Sequence, residues 1–234
     1  MTGEMENSTC FNWAKLCSSV GPCLRPGGTL LTDRALELCN LPAGSRIVDV
    51  GCGAGGTLEH LERAGFRHLV GLDHSEPLLT EAGARLEAAR LIRGEAHAIP
   101  FGNGSFDLLL CECVLSVLPD RSAALREFAR VVREGGYLVL SDVFGKDGDK
   151  AAGRADGPLA REELLDAVEE SGFALLHWES HDRLLKEFAV RMILAGACLP
   201  DAWGGDRRRE GRQNGYPGIG YFLLVARLRQ GVGG

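Results

Sequence analysis

Apolar positions along the chain fall into short runs separated by amphipathic stretches, the pattern of strands alternating with helices. RIVDV (Arg46 to Val50) is a β-branched run ending in a glycine cluster, and GTLEHLERAG after it has helical periodicity and stops at Gly65. HLVGLD (His68 to Asp73) predicts a second strand, and SEPLLTEAGARLEAARL a helix with Ser75 at its N-cap and Glu76-Pro77 in its first turn. LIRGEA, FDLLLCE and YLVLSDV predict strands three to five, with the helix DRSAALREFARVVREGG before the fifth. REELLDAVEESG and DRLLKEFAVRMILAGACL predict two further helices, FALLHWES and YFLLVARL two further strands. Repeated β-α-β units imply a doubly wound, mostly parallel α/β sheet covered on both faces, with ligands beyond the carboxyl ends of the strands where strand order reverses.

Residues 1–44 lie before the first strand and predict an N-terminal helical cap, with helices at FNWAKLCSSV and LTDRALELC; residues 45–234 form the main domain. Gly145 to Pro158 is polar and glycine-rich and predicts a loop, and 182–220 an insert before the last strand. At 234 residues with 45% hydrophobic content, such a domain buries enough surface to need no disulfide or metal staple. A net charge of −6 opposes nonspecific binding to nucleic acid or an anionic membrane and points to a small-molecule partner, leaving oligomeric state open. No apolar run reaches membrane-spanning length and Met1 to Asn7 has no signal-peptide character, so the expected location is the cytoplasm. There the eight cysteines are expected to be reduced; they include no C-x-x-C pair, so no metal site is predicted.

The most informative stretch is VDVGCGAGG. Gly51, Gly53 and Gly55 follow a strand and precede a helix, where glycine permits sharp turning and close approach of a ligand to the backbone. Gly51, Gly53 and Gly56 also satisfy the G-x-G-x-x-G dinucleotide fingerprint, and Asp73 lies where a ribose-binding acid is expected. Asp49 shifts the balance away from a dinucleotide, because a carboxylate there attracts an ammonium and repels a pyrophosphate. GEAHAIPFGNGSFDLLL adds an acid and a small residue after strand three, then a Pro-Phe turn and an Asn103-Gly104 hairpin. A second domain of the size dehydrogenases usually carry is absent from the pattern.

With these motifs the chain resembles the class I S-adenosylmethionine-dependent methyltransferases, in the broad group that includes ubiquinone and menaquinone C-methyltransferases. The likeness is firm over about Leu41 to Val143 and looser over the final strands. It implies a Rossmann-like, seven-stranded sheet whose last strand, YFLLVARL, inserts antiparallel between the fifth and sixth. It also implies S-adenosyl-L-methionine as cofactor. Asp49, Gly51, Cys52, Gly53 and Gly55 would surround its methionine part and Asp73 would accept both ribose hydroxyls. His74 and Ser75 would lie along the ribose and adenine. Glu95, where the family usually has Asp, would accept from the adenine amino group with Ala96 nearby, and the Cys111 carbonyl would meet the methionine ammonium. CLRPGGTLLTDRALELCNL and the Cys-Glu-Cys after strand four resemble a bacterial subgroup. The rival readings are a nicotinamide-dependent oxidoreductase using Gly51, Gly53 and Gly56, and a noncatalytic cofactor-binding protein.

The acceptor is left open among a thiol, a carbon and a metalloid centre. Strand alternation places Cys111, Cys113 and Cys52 around the pocket, where thiols are either soft ligands for trivalent arsenic, joined by Cys10, Cys17 or Cys23, or small packing residues; packing is the preferred reading. None of His60, His68, His97, His177 and His181 is assigned a catalytic role, and the DRRRE run (Asp206 to Glu210) reads as a solvated loop with Trp203, Tyr216 and Tyr221 around it.

Overall fold

The computed structural model describes residues 23–146, 158–195 and 218–230. Within them, six α-helices surround a single seven-stranded sheet: α1 (Leu30–Cys39), β1 (Arg46–Val50), α2 (Gly56–Arg63), β2 (His68–Asp73), α3 (Glu76–Gly83), β3 (Arg90–Arg93), β4 (Phe106–Glu112), α4 (Arg121–Val131), β5 (Val132–Gly145), α5 (Arg161–Glu170), β6 (Phe173–Ser180), α6 (Asp182–Leu194) and β7 (Ile219–Leu228). Strand order is β3-β2-β1-β4-β5-β7-β6. The first five strands run parallel, and β7 is antiparallel to both β5 and β6, the insertion expected of the last strand.

Near-continuous burial along β1, β4 and β7 explains their apolar runs: both faces are covered. One layer joins α1, α2 and α6, through Leu31, Leu58 and Phe188, to Ile47, Leu110 and Tyr221 of the sheet. The other packs α4 and α5, through Phe128 and Val168, on Val48, Leu109 and Phe222.

Strand order reverses between β1 and β4. The register sets Val50 opposite Leu72 of β2 and Cys111 of β4, so Gly51, Asp73 and Glu112 follow at one level on the carboxyl edge. That edge is where an open α/β sheet makes its crevice.

Several predicted boundaries shift by one to three residues, and two that shift further do so for clear reasons. The helix expected to continue to Leu91 ends at Gly83, because the N–H groups of Glu87, Ala88 and Ala89 donate to the Glu62 carboxylate of α2 (3.2, 2.8 and 2.8 Å) rather than up the helix. The strand expected to begin near Tyr137 begins at Val132, where a register shift against β4 and a left-handed Gly135 (φ 69°) absorb the REGG sequence. The predicted helix FNWAKLCSSV lies outside the described residues, as do most of the loop 145–158 and of the insert 182–220.

Candidate active site

Beyond the edge formed by β1, β2 and β4 opens a cleft of about 250 Å³. Its floor is the glycine loop after β1. The Gly51 and Cys52 N–H groups donate to the Leu72 carbonyl (2.7 and 3.2 Å), pinning the loop to β2. Two of the glycines serve different ends. A Cβ on Gly51 would come 2.2 Å from Val114 Cγ2, so this position is glycine for packing. A Cβ on Gly53 (φ 52°) would meet nothing within 4 Å and would project into open space where the loop lines the cleft. Gly53 therefore keeps room for a ligand.

Among the described residues, four charged side chains line the cleft: Asp49, Asp73, Glu112 and Arg25. Asp73, ending β2, accepts from the Gly53 N–H (2.8 Å, Oδ2) and the Ser75 N–H (2.9 Å, Oδ1), which fixes the carboxylate and the loop together. Glu112, ending β4, forms an ion pair with Arg25 (3.0 Å) and accepts from Thr32, Thr57 and Ser141 at 3.1 to 3.4 Å. Asp49 differs from both. It is fully buried, and its Oδ2 has no hydrogen-bond partner. Burial first, then the negative charges of Glu112 and Asp73, push its carboxyl up to about 8, with Arg25 pulling the other way. An unpartnered buried carboxyl beside other carboxylates is an unfavourable arrangement that a bound cation relieves.

The sequence-predicted residues divide. Asp49, Gly51, Cys52, Gly53 and Asp73 line the cleft together. Gly55 does not line it; a Cβ there would come 2.9 Å from Leu86 Cδ1 and 3.0 Å from Ala82 Cβ, so it serves helix packing. His74, with its side chain 77% exposed, and Ser75 stand beside Asp73 outside the lining. Glu95 is exposed, its carbonyl accepting from the Ala98 N–H (3.0 Å), and Ala96 is buried with Val48 and Ile99; neither reaches the lining. The Cys111 side chain is fully buried in the core layer with Val50 and Leu140.

The expected grouping of cysteines is therefore corrected. Cys113 leaves strand alternation through a left-handed backbone (φ 59°), which turns it into the cleft while Cys111 stays in the core behind the sheet. The thiols lining the cleft are Cys23, Cys52 and Cys113. Burial raises the pKa of each. Among the described residues no group of three or more His, Cys, Asp or Glu side chains is placed to hold a metal ion. Cys10, Cys17, Cys198, Trp203, Tyr216 and the DRRRE run lie outside the described residues; Tyr221 is buried in β7, its hydroxyl 3.1 Å from Cys113 Sγ. No histidine is in the lining, and His177 and His181 both pair with Glu179.

Sequence reasoning missed Arg25, Thr57 and Glu112, and also Phe188 and Met192 of α6, which form an apolar side of the cleft. A signal was present: CLRPGG and Cys-Glu-Cys, far apart in sequence, meet as Arg25 and Glu112.

A parallel sheet with its last strand reversed between the fifth and sixth, and a glycine loop facing a reversal of strand order, define the class I methyltransferase fold. Residues 48–140 match the Methyltransf_11 family, described as a methyltransferase domain. The chain is 30% identical over 167 residues to an uncharacterised protein of Haemophilus influenzae, covering 64% of this chain and 66% of that one. It is 36% identical over 112 residues to a demethylmenaquinone methyltransferase of Bacillus licheniformis, covering 46% and 48%. The chain spans about half to two thirds of the length of these relatives. The crystal structure of the [4+2]-cyclase SpnF superposes with a TM-score of 0.68 at 23% identity, covering 86% of this chain and 80% of that one. No helix among the described residues is long and apolar enough to cross a membrane.

Proposed function

We propose that the chain binds S-adenosylmethionine in the cleft and transfers its methyl group to a small-molecule acceptor. The observation that carries this reading is the unpartnered, buried Oδ2 of Asp49 lining the same cleft as Gly53 and Asp73. Asp49 would take the ammonium of the methionine part, and Asp73, with one backbone N–H already on each oxygen, would use its remaining lone pairs for the ribose hydroxyls. Gly53 leaves the backbone open between them. A pyrophosphate fits this donor set poorly, since the described residues bring three carboxylates and one arginine to the cleft.

The sulfonium of the bound cofactor supplies an activated methyl group. What the protein adds is alignment of donor and acceptor and exclusion of water. Phe188, Met192, Val114, Val117 and Leu24 give the cleft an apolar side where an acceptor with apolar surface can be held against the donor. The cleft-lining thiols Cys23, Cys52 and Cys113 favour a second reading, in which the acceptor is arsenite. Packing is the better account of them, because burial holds all three as neutral thiols.

The test is turnover. Purified protein is incubated with methyl-labelled S-adenosylmethionine and separate panels of quinols, thiols, carbon acids and arsenite. Acceptor-dependent release of S-adenosylhomocysteine supports the reading. Tight donor binding without turnover on any panel would favour a noncatalytic cofactor-binding protein.

A further inference from the structure

We propose that Ser116, Arg121 and Asp142 hold one internal water molecule behind the cleft, and that this buried polar unit positions the wall formed by Val114 and Val117. The water site stands on geometry alone; its effect on the cofactor rests on the methyltransferase reading above. Between β4 and α4 the chain makes a single 3₁₀ turn, Leu115–Val117. Val114 and Val117, on its two sides, line the cleft, whereas Leu115 and Ser116 between them line a second cavity of about 10 Å³. The turn is the partition between the two. Ser116 is gripped at both ends of its backbone: its N–H donates to Asp142 Oδ2 of β5 (2.8 Å), and its carbonyl accepts from Arg121 Nη2 of α4 (2.9 Å). On the cleft side, Val114 packs on the glycine loop, where its Cγ2 fills the place of a Cβ on Gly51.

Chemistry then selects the occupant of the small cavity. Ser116 Oγ and Arg121 Nε are both buried there without a hydrogen-bond partner among the described residues. Asp142, fully buried, accepts one N–H on each oxygen, from Ser116 and from Val143 (2.7 Å), which leaves each oxygen a lone pair. Burial raises its pKa, opposed by the Ser116 side chain, by those two N–H groups and by the Arg121 charge, so a further donor would stabilise the carboxylate. The Ser116 hydroxyl is thus near the carboxylate yet makes no hydrogen bond to it, a spacing that a bridging water fits. An occupant must accept from Arg121 Nε and donate to Asp142. A cation would face Arg121 and an anion Asp142, whereas a neutral dipole meets neither objection. A cavity of this size, lined by three polar groups and closed by Leu115, Leu164 and Phe222, suits one water. Ser116, Arg121 and Asp142 are positioning residues, since none of them lines the cleft and all act on it through the turn.

The test has two arms, both on the full chain. A high-resolution crystal structure of the wild type is expected to show one solvent peak within about 3.2 Å of Ser116 Oγ, Arg121 Nε and an Asp142 oxygen. Magnetic relaxation dispersion of the solvent should count about one long-lived water fewer in Ser116→Val, whose methyl groups fill the cavity. A dry cavity, with Ser116 or Arg121 bonded directly to Asp142, or an equal count in the variant, would overturn the water site. For the wall, Asp142→Asn and Arg121→Met are compared with wild type, each checked by its melting curve to be folded. Both should shift the methyl resonances of Val114 and Val117 and weaken S-adenosylhomocysteine binding by roughly threefold or more, as for coupling carried through packed side chains. A purely structural role would lower the melting temperature, leave both readings at wild-type values in the folded protein, and overturn the positioning role. Wild type that binds no S-adenosylhomocysteine would overturn the methyltransferase reading itself, while the solvent peak and the valine resonances still decide this one.

Discussion

Asp107, at the amino end of β4, and Asp49, near the carboxyl end of β1, sit on adjacent parallel strands at opposite edges of the sheet, and they are opposite kinds of acid. Asp107 accepts from the Arg46 N–H (2.7 Å), from Arg46 Nε (3.3 Å) and from Arg133. Burial alone would raise its pKa, but these donors outweigh it and hold the carboxyl below the usual range. Asp49 has the burial without the donors and moves up to about 8. The amino edge has thus been satisfied by the protein itself, while the carboxyl edge carries a deficit that a ligand can fill. Their effects on stability have opposite signs. Asp107 stabilises the fold above its unfolded pKa, and that contribution is lost as pH falls through its lowered folded value. Asp49 makes the empty protein less stable as pH rises from its unfolded pKa of 3.8 toward 8.

The largest expected effect comes from Asp73→Ala, which removes both proposed ribose bonds and the acceptor that holds the Gly53 N–H. S-adenosylhomocysteine affinity should fall by roughly a hundredfold or more, at about 1.5 to 3 kcal/mol per charged hydrogen bond. Unchanged affinity in the folded variant would remove Asp73 from the site. Next, Asp49→Asn should weaken the same ligand by about tenfold or more at pH 8, yet melt at or above wild type, with a thermal advantage that grows as pH rises toward 8. Wild-type affinity should itself climb by up to about tenfold per pH unit below 8, because Asp49 must release its proton to meet an ammonium, and the variant should lose that slope. A flat wild-type profile would mean that Asp49 does not meet the ligand. Asp107→Ala should lower the melting temperature by a few degrees, for roughly 1 kcal/mol of lost hydrogen bonding, and leave affinity alone. The smallest effect is expected of Cys113→Ser, which keeps a hydroxyl for Tyr221. Cofactor affinity should not change, and arsenite should support no turnover; formation of methylated arsenic that this substitution abolishes would promote the metalloid reading.

The same contrast explains what could be read in advance. β1, β2, β4 and β6 follow from their sequences to the residue; in β1 and β4 a strand buried on both faces writes a continuous apolar run, while β6, half-buried at the sheet edge, is marked by its β-forming sequence between helices. Asp49, Gly53 and Asp73 were legible from spacing along one β-α-β unit. The end of α3 was not, since it depends on Glu62 accepting from three N–H groups more than 20 residues away. Arg25 and Glu112 were not either: 87 positions separate them in sequence, and only the alignment of strand ends with α1 brings them within 3.0 Å. Cys113 lines the cleft as expected, but Cys111 was wrongly grouped with it because period-two reasoning fails at a left-handed residue. Carrying Glu95 over by resemblance put an exposed turn residue into the expected site.

Calorimetric titration of the wild-type protein with S-adenosylhomocysteine and, separately, with NADPH bears most directly on the claim that the carboxyl edge of this sheet awaits a cationic amino-acid end and not a pyrophosphate. Saturable one-site binding of S-adenosylhomocysteine, with protons released below pH 8 and no heat from NADPH, is the predicted result. Binding of NADPH alone would contradict it and return the glycine loop to the dinucleotide reading.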